Sequence, residues 1–174
     1  YSTCMGKGTD LLKKHSTNGT NLFKNVIASS DAFTDVIADS NGIIYASDSK
    51  GYIYVYTRDG ELIFCLGEKA GNNDVSGLFS SLTTIAVDNN GNIWTADGKK
   101  GFIQSFTPTE YATTIYKALQ EYENGDYTDA LKDWNYVLRL NQMSVLAHNG
   151  VAKAYYNDEE YDKAMEHFEI AGNR

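Results

Sequence analysis

Two kinds of hydrophobic pattern divide the chain. Up to about residue 108, short runs of Val, Ile, Tyr and Phe nearly alternate with polar residues and are broken by Asn-Gly and Asp-Gly dipeptides. Such alternation predicts β-strands joined by hairpins, because successive side chains of a strand point to opposite faces. After Pro108 the apolar spacing changes to three and four residues. This second pattern predicts amphipathic helices over residues 109–174.

The β part contains two copies of one unit, offset by 49 residues. The matching positions are Asp39 and Asp88, Gly42 and Gly91, Tyr45 and Trp94, Asp48 and Asp97, Gly51 with Gly98 or Gly101, and approximately Tyr56 and Phe106. Strands are predicted at residues 34–38, 43–47, 52–57 and 62–66, and again at 83–87, 92–96 and 102–106. A unit of four short antiparallel strands, repeated at a fixed offset, is typical of a propeller blade.

Glycine marks the turns between these strands. Asn-Gly and Asp-Gly between apolar runs favour two-residue hairpin turns in which Gly takes a positive φ. We expect such turns at Asn41-Gly42, Asp59-Gly60 and Asn90-Gly91. Residues 6–32 and 67–81 lack these signals and are predicted to be irregular connections, with only residues 25–28 strand-like.

Residues 83–97 read Thr-Thr-Ile-Ala-Val-Asp-Asn-Asn-Gly-Asn-Ile-Trp-Thr-Ala-Asp and resemble an NHL repeat, and residues 36–48 match it equally well. Two features depart from that repeat. Its proline before the first strand is replaced by Asp35 or Leu82, and its Asn-Arg pair by two other dipeptides, Ser49-Lys50 and Lys99-Lys100. The resemblance implies a β-propeller of about six blades. Residues 1–108 would then supply about two blades plus one strand, and another chain or missing blades would complete the ring.

The helical part repeats with a period of 34 residues, which pairs Ala118 with Ala152, Tyr127 with Tyr161, Ala130 with Ala164, and Trp134 with Phe168. Helices are predicted at residues 110–124, 127–140, 144–157 and 161–171. Small Ala130 and Ala164 allow two helices to approach closely. Trp134 and Phe168 lie four residues further on the same face, so we expect each to fill the gap to the next helix.

This period, with Gly125-Asp126-Tyr127 at the turn, resembles the tetratricopeptide (TPR) repeat, a helix-turn-helix unit. The order NHL then TPR is similar to a group of bacterial (Firmicutes) membrane-associated proteins in which a Yip-type transmembrane domain follows. The predicted fold class is therefore multi-domain β + α, with a partial NHL β-propeller over residues 1–108 and two TPR repeats over 109–174. The resemblance also implies an extracytoplasmic location at the membrane, through segments outside this chain.

Charge narrows the choice of partners. The net charge is -8; residues 1–108 carry 9 basic and 11 acidic residues, and residues 109–174 carry 6 and 12. A negative surface repels phosphate backbones, so no nucleic-acid partner is expected. No run of 18 apolar residues occurs, so the chain is not expected to insert into a membrane itself. Because the chain starts at Tyr1 without a signal peptide, we expect a processed or truncated product.

Residues that could carry chemistry are few. The repeated aspartates could bind calcium, but a carboxylate beside a hairpin turn ordinarily accepts backbone N–H groups. His15, His148 and His167 have no cysteine or carboxylate at ligand spacing, so no metal and no cofactor is predicted. Aromatic residues on the strands are expected to pack between blades rather than to form a carbohydrate platform.

The two cysteines lie in matching contexts, Thr3-Cys4-Met5-Gly6 and Phe64-Cys65-Leu66-Gly67. The match suggests that residues 1–6 are the last strand of a preceding blade. Equivalent positions in neighbouring blades are expected to lie beyond the roughly 7 Å limit for a disulfide. We therefore expect two free, buried strand thiols.

These features favour a non-enzymatic binding or scaffold module whose surfaces recruit a protein or peptide partner. Ala152, Tyr155, Ala164 and Phe168 are assigned to helix packing, which leaves a stripe of Leu146, Asn149, Lys153 and Tyr156 at spacings of three and four. We expect this stripe to bind the partner, although a solvated helix face or a dock for the propeller would have the same pattern. The alternative function is a lactonase-like propeller hydrolase, or a carbohydrate-binding module, with its site in blades outside this chain.

Overall fold

A computed structural model describes residues 1–3, 12–23, 27, 32–70 and 75–172. Within these residues the chain is mixed β and α, with eleven strands in small sheets followed by four helices. The chain divides into two compact units, Tyr1–Thr107 and Pro108–Arg174. The predicted order of a strand-rich part followed by a helical part is confirmed.

The described strands form four sheets. Their bounds are β1 Ser2–Thr3, β2 Leu12–Lys13, β3 Phe33–Ala38, β4 Ile44–Asp48, β5 Ile53–Tyr56, β6 Leu62–Leu66, β7 Glu68–Lys69, β8 Leu78–Phe79, β9 Leu82–Val87, β10 Ile93–Asp97 and β11 Phe102–Phe106. The antiparallel sheets are ordered β3-β4-β5-β6, β11-β10-β9 and β1-β2, and β7 pairs with β8 in parallel. All seven predicted strands are present, each within one residue of its predicted bounds; of residues 25–28, only residue 27 is among those described.

The core of the first unit lies around the four-stranded sheet. Its buried cluster comprises Leu12, Phe23, Ile27, Phe33, Ile44, Ala46 and Tyr56. Strand β4 is buried at all five positions, because both of its faces are covered. Strand β3 also contacts β9, where the Asp35 carboxylate accepts hydrogen bonds from the Thr84 hydroxyl at 2.7 Å and the Ile85 N–H at 3.0 Å. This carboxylate therefore links the two repeated sheets.

The strand registers confirm the repeat over the three strands that both sheets contain, β3, β4 and β5 in the first and β9, β10 and β11 in the second. Tyr56 lies opposite Ile44 in the first sheet, and Phe106 lies opposite Ile93 in the second. Equivalent residues of the two sheets are 49 apart in sequence up to β10 and 50 apart in β11. Compared with the turn between β4 and β5, the turn between β10 and β11 is one residue longer. Gly101, with φ 68°, closes that turn and is the counterpart of Gly51.

The hairpin turns differ from the predicted two-residue form. The N–H of Gly42 donates to the Asp39 carbonyl, and the N–H of Asp39 donates to the Ile43 carbonyl. Three residues thus lie between the paired ends, with Gly42 left-handed at φ 83°. The same bonds close the turns that end at Gly51, Gly60 and Gly91. The prediction placed positive φ correctly at glycine but overlooked the acceptor three residues earlier, which makes a three-residue loop favourable.

The second unit contains four helices: α1 Glu110–Asn124, α2 Tyr127–Leu140, α3 Val145–Asn157 and α4 Tyr161–Gly172. These bounds confirm the predicted helices to within one residue. Thr109 and Ser144 precede α1 and α3, and their hydroxyls accept hydrogen bonds from N–H groups of the first turn. Such N-caps satisfy donors that the helix itself leaves unpaired.

Helices α1 and α3 end in the same motif, 34 residues apart. The N–H of Gly125 donates to the Tyr122 carbonyl, and that of Glu159 donates to the Tyr156 carbonyl. Both residues are left-handed, with φ 87° and 62°. Glycine adopts this conformation at little cost, whereas glutamate is strained in it. The second copy therefore retains the turn without the residue best suited to it.

Packing between α2 and α3 confirms one of the two predicted aromatic contacts. Trp134 is buried against Gly150, where a β-carbon would lie 2.6 Å from the indole Nε1. Its counterpart Phe168 remains 37% exposed, so the expectation that it fills a gap is wrong. The reason is that α4 is the last helix among the described residues, and no further helix there covers its outer face.

Cys65 is exposed, which contradicts the predicted buried thiol. It lies on β6, the edge strand of its sheet, so its side chain is only partly covered; this partial burial raises its pKa. Cys4 lies outside the described residues. None of the described helices is both long and apolar enough to cross a membrane.

Candidate functional site

The predicted stripe lies on one helix of the second unit. Leu146, Asn149, Lys153 and Tyr156 all belong to α3. Spacings of three and four residues place their side chains on one helical face. The opposite face is apolar and packed, since Ala147, Val151 and Ala154 are fully buried.

Only the last residue of this stripe is exposed. Leu146, Asn149 and Lys153 are half-buried, and Tyr156 is 60% exposed. A tyrosine at this exposure offers a large apolar ring and a hydroxyl to a partner at low conformational cost. The stripe is therefore partly packed at its start and open at its end.

Tyr156 is one member of an aromatic pair that recurs with the 34-residue period. Its ring meets that of Tyr161 edge to face, with centroids 5.4 Å apart. In the first repeat, Tyr122 and Tyr127 form the equivalent pair at 5.3 Å. Tyr122 is half-buried, whereas both members of the second pair are exposed.

The difference in exposure has a structural cause. Asn157 of α3 donates a hydrogen bond from Nδ2 to the Tyr122 hydroxyl at 3.1 Å, and the same nitrogen donates to the Lys153 carbonyl at 2.8 Å. The Asn157 side chain of α3 thus lies against the hydroxyl of Tyr122. No described helix follows α4 to do the same for Tyr156.

Sequence reasoning did not connect Tyr122 or Tyr161 with α3, although Tyr161 contacts Tyr156 and Tyr122 accepts a hydrogen bond from Asn157. The 34-residue period carries the signal for both. Tyr122 and Tyr127 recur as Tyr156 and Tyr161. The five-residue separation across a helix-to-helix turn does not reveal ring contact by itself.

An acidic turn adjoins the exposed tyrosines. Asp158, Glu159, Glu160 and Asp162 are all exposed between the end of α3 and the first turn of α4. Glu160 pairs with Lys163 at 3.0 Å, and this hydrogen bond raises the pKa of the lysine. The Lys163 ammonium also lies 5.2 Å from the centre of the Tyr155 ring. The end of the stripe thus combines aromatic area with a surplus of negative charge.

The repeated aspartates of the first unit act as acceptors in turns. Asp48 Oδ1 accepts hydrogen bonds from the N–H groups of Lys50 and Tyr52, both at 2.9 Å. Asp97 accepts from four backbone N–H groups, those of Ser80, Ser81, Lys99 and Lys100. Burial raises the pKa of Asp97, but these donors outweigh it and the net pKa is lowered. This confirms the predicted turn role of these carboxylates.

Asp88 binds side chains in addition to its own turn. Its Oδ2 accepts hydrogen bonds from Asn92 Nδ2 at 2.8 Å and from Trp94 Nε1 at 3.1 Å. These bonds lower its pKa to about 2. Among the residues that the structure describes, no three His, Cys, Asp or Glu side chains gather as a metal site.

Neither a protein-family model nor a curated protein sequence matches the chain.

Proposed function

We propose that the chain is a non-catalytic binding or scaffold module, in which a partial NHL-type propeller accompanies a short TPR-type array that recruits a protein or peptide partner. Support comes from the two internal periods and from the Gly125 and Glu159 turns, which end successive helices in the same way. The bacterial, membrane-associated and extracytoplasmic setting belongs to the same proposal and rests on the order of the two modules.

One observation carries the proposal: the α3 stripe ends in an exposed pair of tyrosines. The edge-to-face contact of Tyr156 with Tyr161 limits the freedom of both rings, so little entropy is lost when a partner covers them. Aromatic residues of this kind dominate the affinity of many interfaces. Tyr156 and Tyr161 are therefore the proposed anchors of the partner.

Charge indicates which partner segment fits. The acidic turn at residues 158–162 favours a basic residue beside the tyrosines, and Lys153 favours a carboxylate further along α3. We infer a segment of mixed charge with an apolar side chain between its charged groups. Its binding should weaken as salt rises, because exposed charges are screened.

The test is a pull-down from a bacterial membrane fraction with the wild type and with a Lys153→Glu plus Tyr156→Ala variant. We expect the variant to lose a partner that the wild type retains. A matched control, Lys132→Glu plus Leu140→Ala, changes an exposed cation and an exposed apolar residue on α2 and should retain it. Identical partner profiles for all three folded proteins would remove the α3 stripe from consideration.

A further inference from the structure

Two histidines that are 19 residues apart in sequence meet between α3 and α4. The Nδ1 atoms of His148 and His167 lie 3.0 Å apart, and the ring centroids are separated by 5.1 Å. His148 is 8% exposed, and its Nε2 lies 3.1 Å from the Gln142 carbonyl oxygen. This side-chain pair plays no part in the α3 stripe.

The partners of His148 determine its tautomer. A carbonyl oxygen can only accept, so Nε2 of His148 carries a hydrogen and donates it to Gln142. In neutral His148 the Nδ1 atom is then an acceptor. His167 must therefore donate from its own Nδ1, which assigns the positions of the hydrogens in the neutral pair.

Acid can add two protons to this histidine pair, and they have different effects on the hydrogen bond. One added proton can reside on Nε2 of His167 and leaves the bond between the two Nδ1 atoms intact. A second proton must go to Nδ1 of His148, because the only nitrogen lone pair of that ring is the one that accepts the hydrogen bond from His167. Two N–H groups and two positive charges would then face each other across 3.0 Å, so the bond cannot persist.

The surroundings of His167 on balance disfavour a charge on its ring. Burial first, and then the His148 ring, lower the pKa of His167, whereas Glu166 on α4 raises it. Tyr155 of α3 lies 6.0 Å from His167, and Lys163 of α4 stands over that tyrosine. The turn between α2 and α3 contributes the Gln142 carbonyl, which already accepts a hydrogen bond from His148.

We propose that His148 and His167 form a proton-sensitive contact between α3 and α4, here called the lock. The lock is closed, with the hydrogen bond between the two Nδ1 atoms intact, when the pair has gained no proton or one. It is open when both imidazoles are protonated. In the unfolded chain both histidines take up protons near pH 6.5. The folded state then binds fewer protons than the unfolded state at lower pH. Stability must therefore fall as pH falls, since stability rises with pH wherever the unfolded state holds more protons.

The lock is tested by urea unfolding of the whole chain at several pH values. Trp94→Phe leaves Trp134, packed on α3, as the single tryptophan and thus the fluorescent probe of the helical unit. Because the folded state binds one proton fewer than the unfolded state, the unfolding equilibrium constant should rise by up to about tenfold for each unit that the pH falls below about 6.5. The added change His148→Gln plus His167→Gln should abolish this rise between pH 7.5 and 5.

His15→Gln is the matched control, because it removes a histidine of the other unit and should leave the pH profile unchanged. An equal pH dependence with and without the histidine pair would overturn the lock. Should the double variant fail to fold, the imidazole resonances of the parent chain decide. We expect only one of the two rings to gain a proton while the chain stays folded; independent protonation of both near pH 6.5 would refute the proposal.

Discussion

Replacing Gly150 by alanine tests the contact between α2 and α3. The new β-carbon would lie 2.6 Å from Trp134 Nε1 and closer still to two carbons of the indole. Carbon atoms in comfortable contact are about 3.5–4.0 Å apart, so the indole or a helix must move by roughly 1 Å. Trp134 is 2% exposed and has little free space into which to move.

The expected magnitude follows from two opposing effects. Forcing an extra methyl group into a packed core costs about 1–3 kcal/mol and occasionally more. Alanine is favoured over glycine inside a helix by about 0.8–1.0 kcal/mol. Because this overlap is severe, we place the packing cost at or above the upper end of its range. Subtracting the gain in helix propensity leaves a decrease of about 2 kcal/mol in the free energy of unfolding.

The assay is urea unfolding followed by circular dichroism at 222 nm, which reports mainly on the helices. Gly172→Ala is the matched control, because it makes the same change in α4 where no atom lies within 4 Å. That variant should be unchanged or slightly more stable. Gly150→Ala with wild-type stability or better would refute the close approach of the two helices.

A double-mutant cycle isolates the contact itself. Trp134→Phe removes part of the ring that the new methyl group meets, together with an indole N–H that finds no acceptor among the described residues. In the Trp134→Phe background, Gly150→Ala should be less damaging by about 0.5–3 kcal/mol, the range measured for residues in contact. Additive effects would show that the loss arises elsewhere.

Two further predictions concern turns. Glu159→Gly should stabilise the helical unit by up to about 1 kcal/mol, measured by urea unfolding. Glutamate is strained in the left-handed conformation at φ 62°, whereas glycine, as at Gly125 in the first repeat, is not. A loss of stability would contradict this interpretation of the turn. Asp97→Ala should destabilise the β unit by about 3 kcal/mol or more, because four backbone donors lose their acceptor. The measurement is Trp94 fluorescence in a Trp134→Phe background, where Trp94 is the single tryptophan. The exposed Asp59→Ala is its control and should change stability by less than about 0.5 kcal/mol. Because the folded pKa of Asp97 is lowered, its contribution is present above the unfolded value near 3.9 and is lost as pH falls through the folded pKa.

The sequence alone determined the longer local elements of this protein, whereas the two-residue strands β2, β7 and β8 lie in segments that it predicted to be irregular. Alternation and the three-to-four spacing placed seven strands and four helices within one residue of their observed bounds, because both patterns arise from contacts a few residues apart. The spacing of Asp39 and Gly42, repeated at Asp48 and Gly51, likewise belongs to a single turn. The 34-residue period also relates Tyr156 and Tyr161 to Tyr122 and Tyr127, although it does not show that the rings of each pair are in contact.

Tertiary structure alone decided which of these elements are covered. Trp134 and Phe168 occupy the same repeat position, yet one packs on Gly150 of the following helix and the other faces outward from the last described helix. His148 and His167 gave no signal in the sequence, since nothing in their local spacing relates them. Their meeting depends on how far α3 and α4 slide and rotate against each other, and that is set by side-chain packing along both helices rather than by the residues next to either histidine.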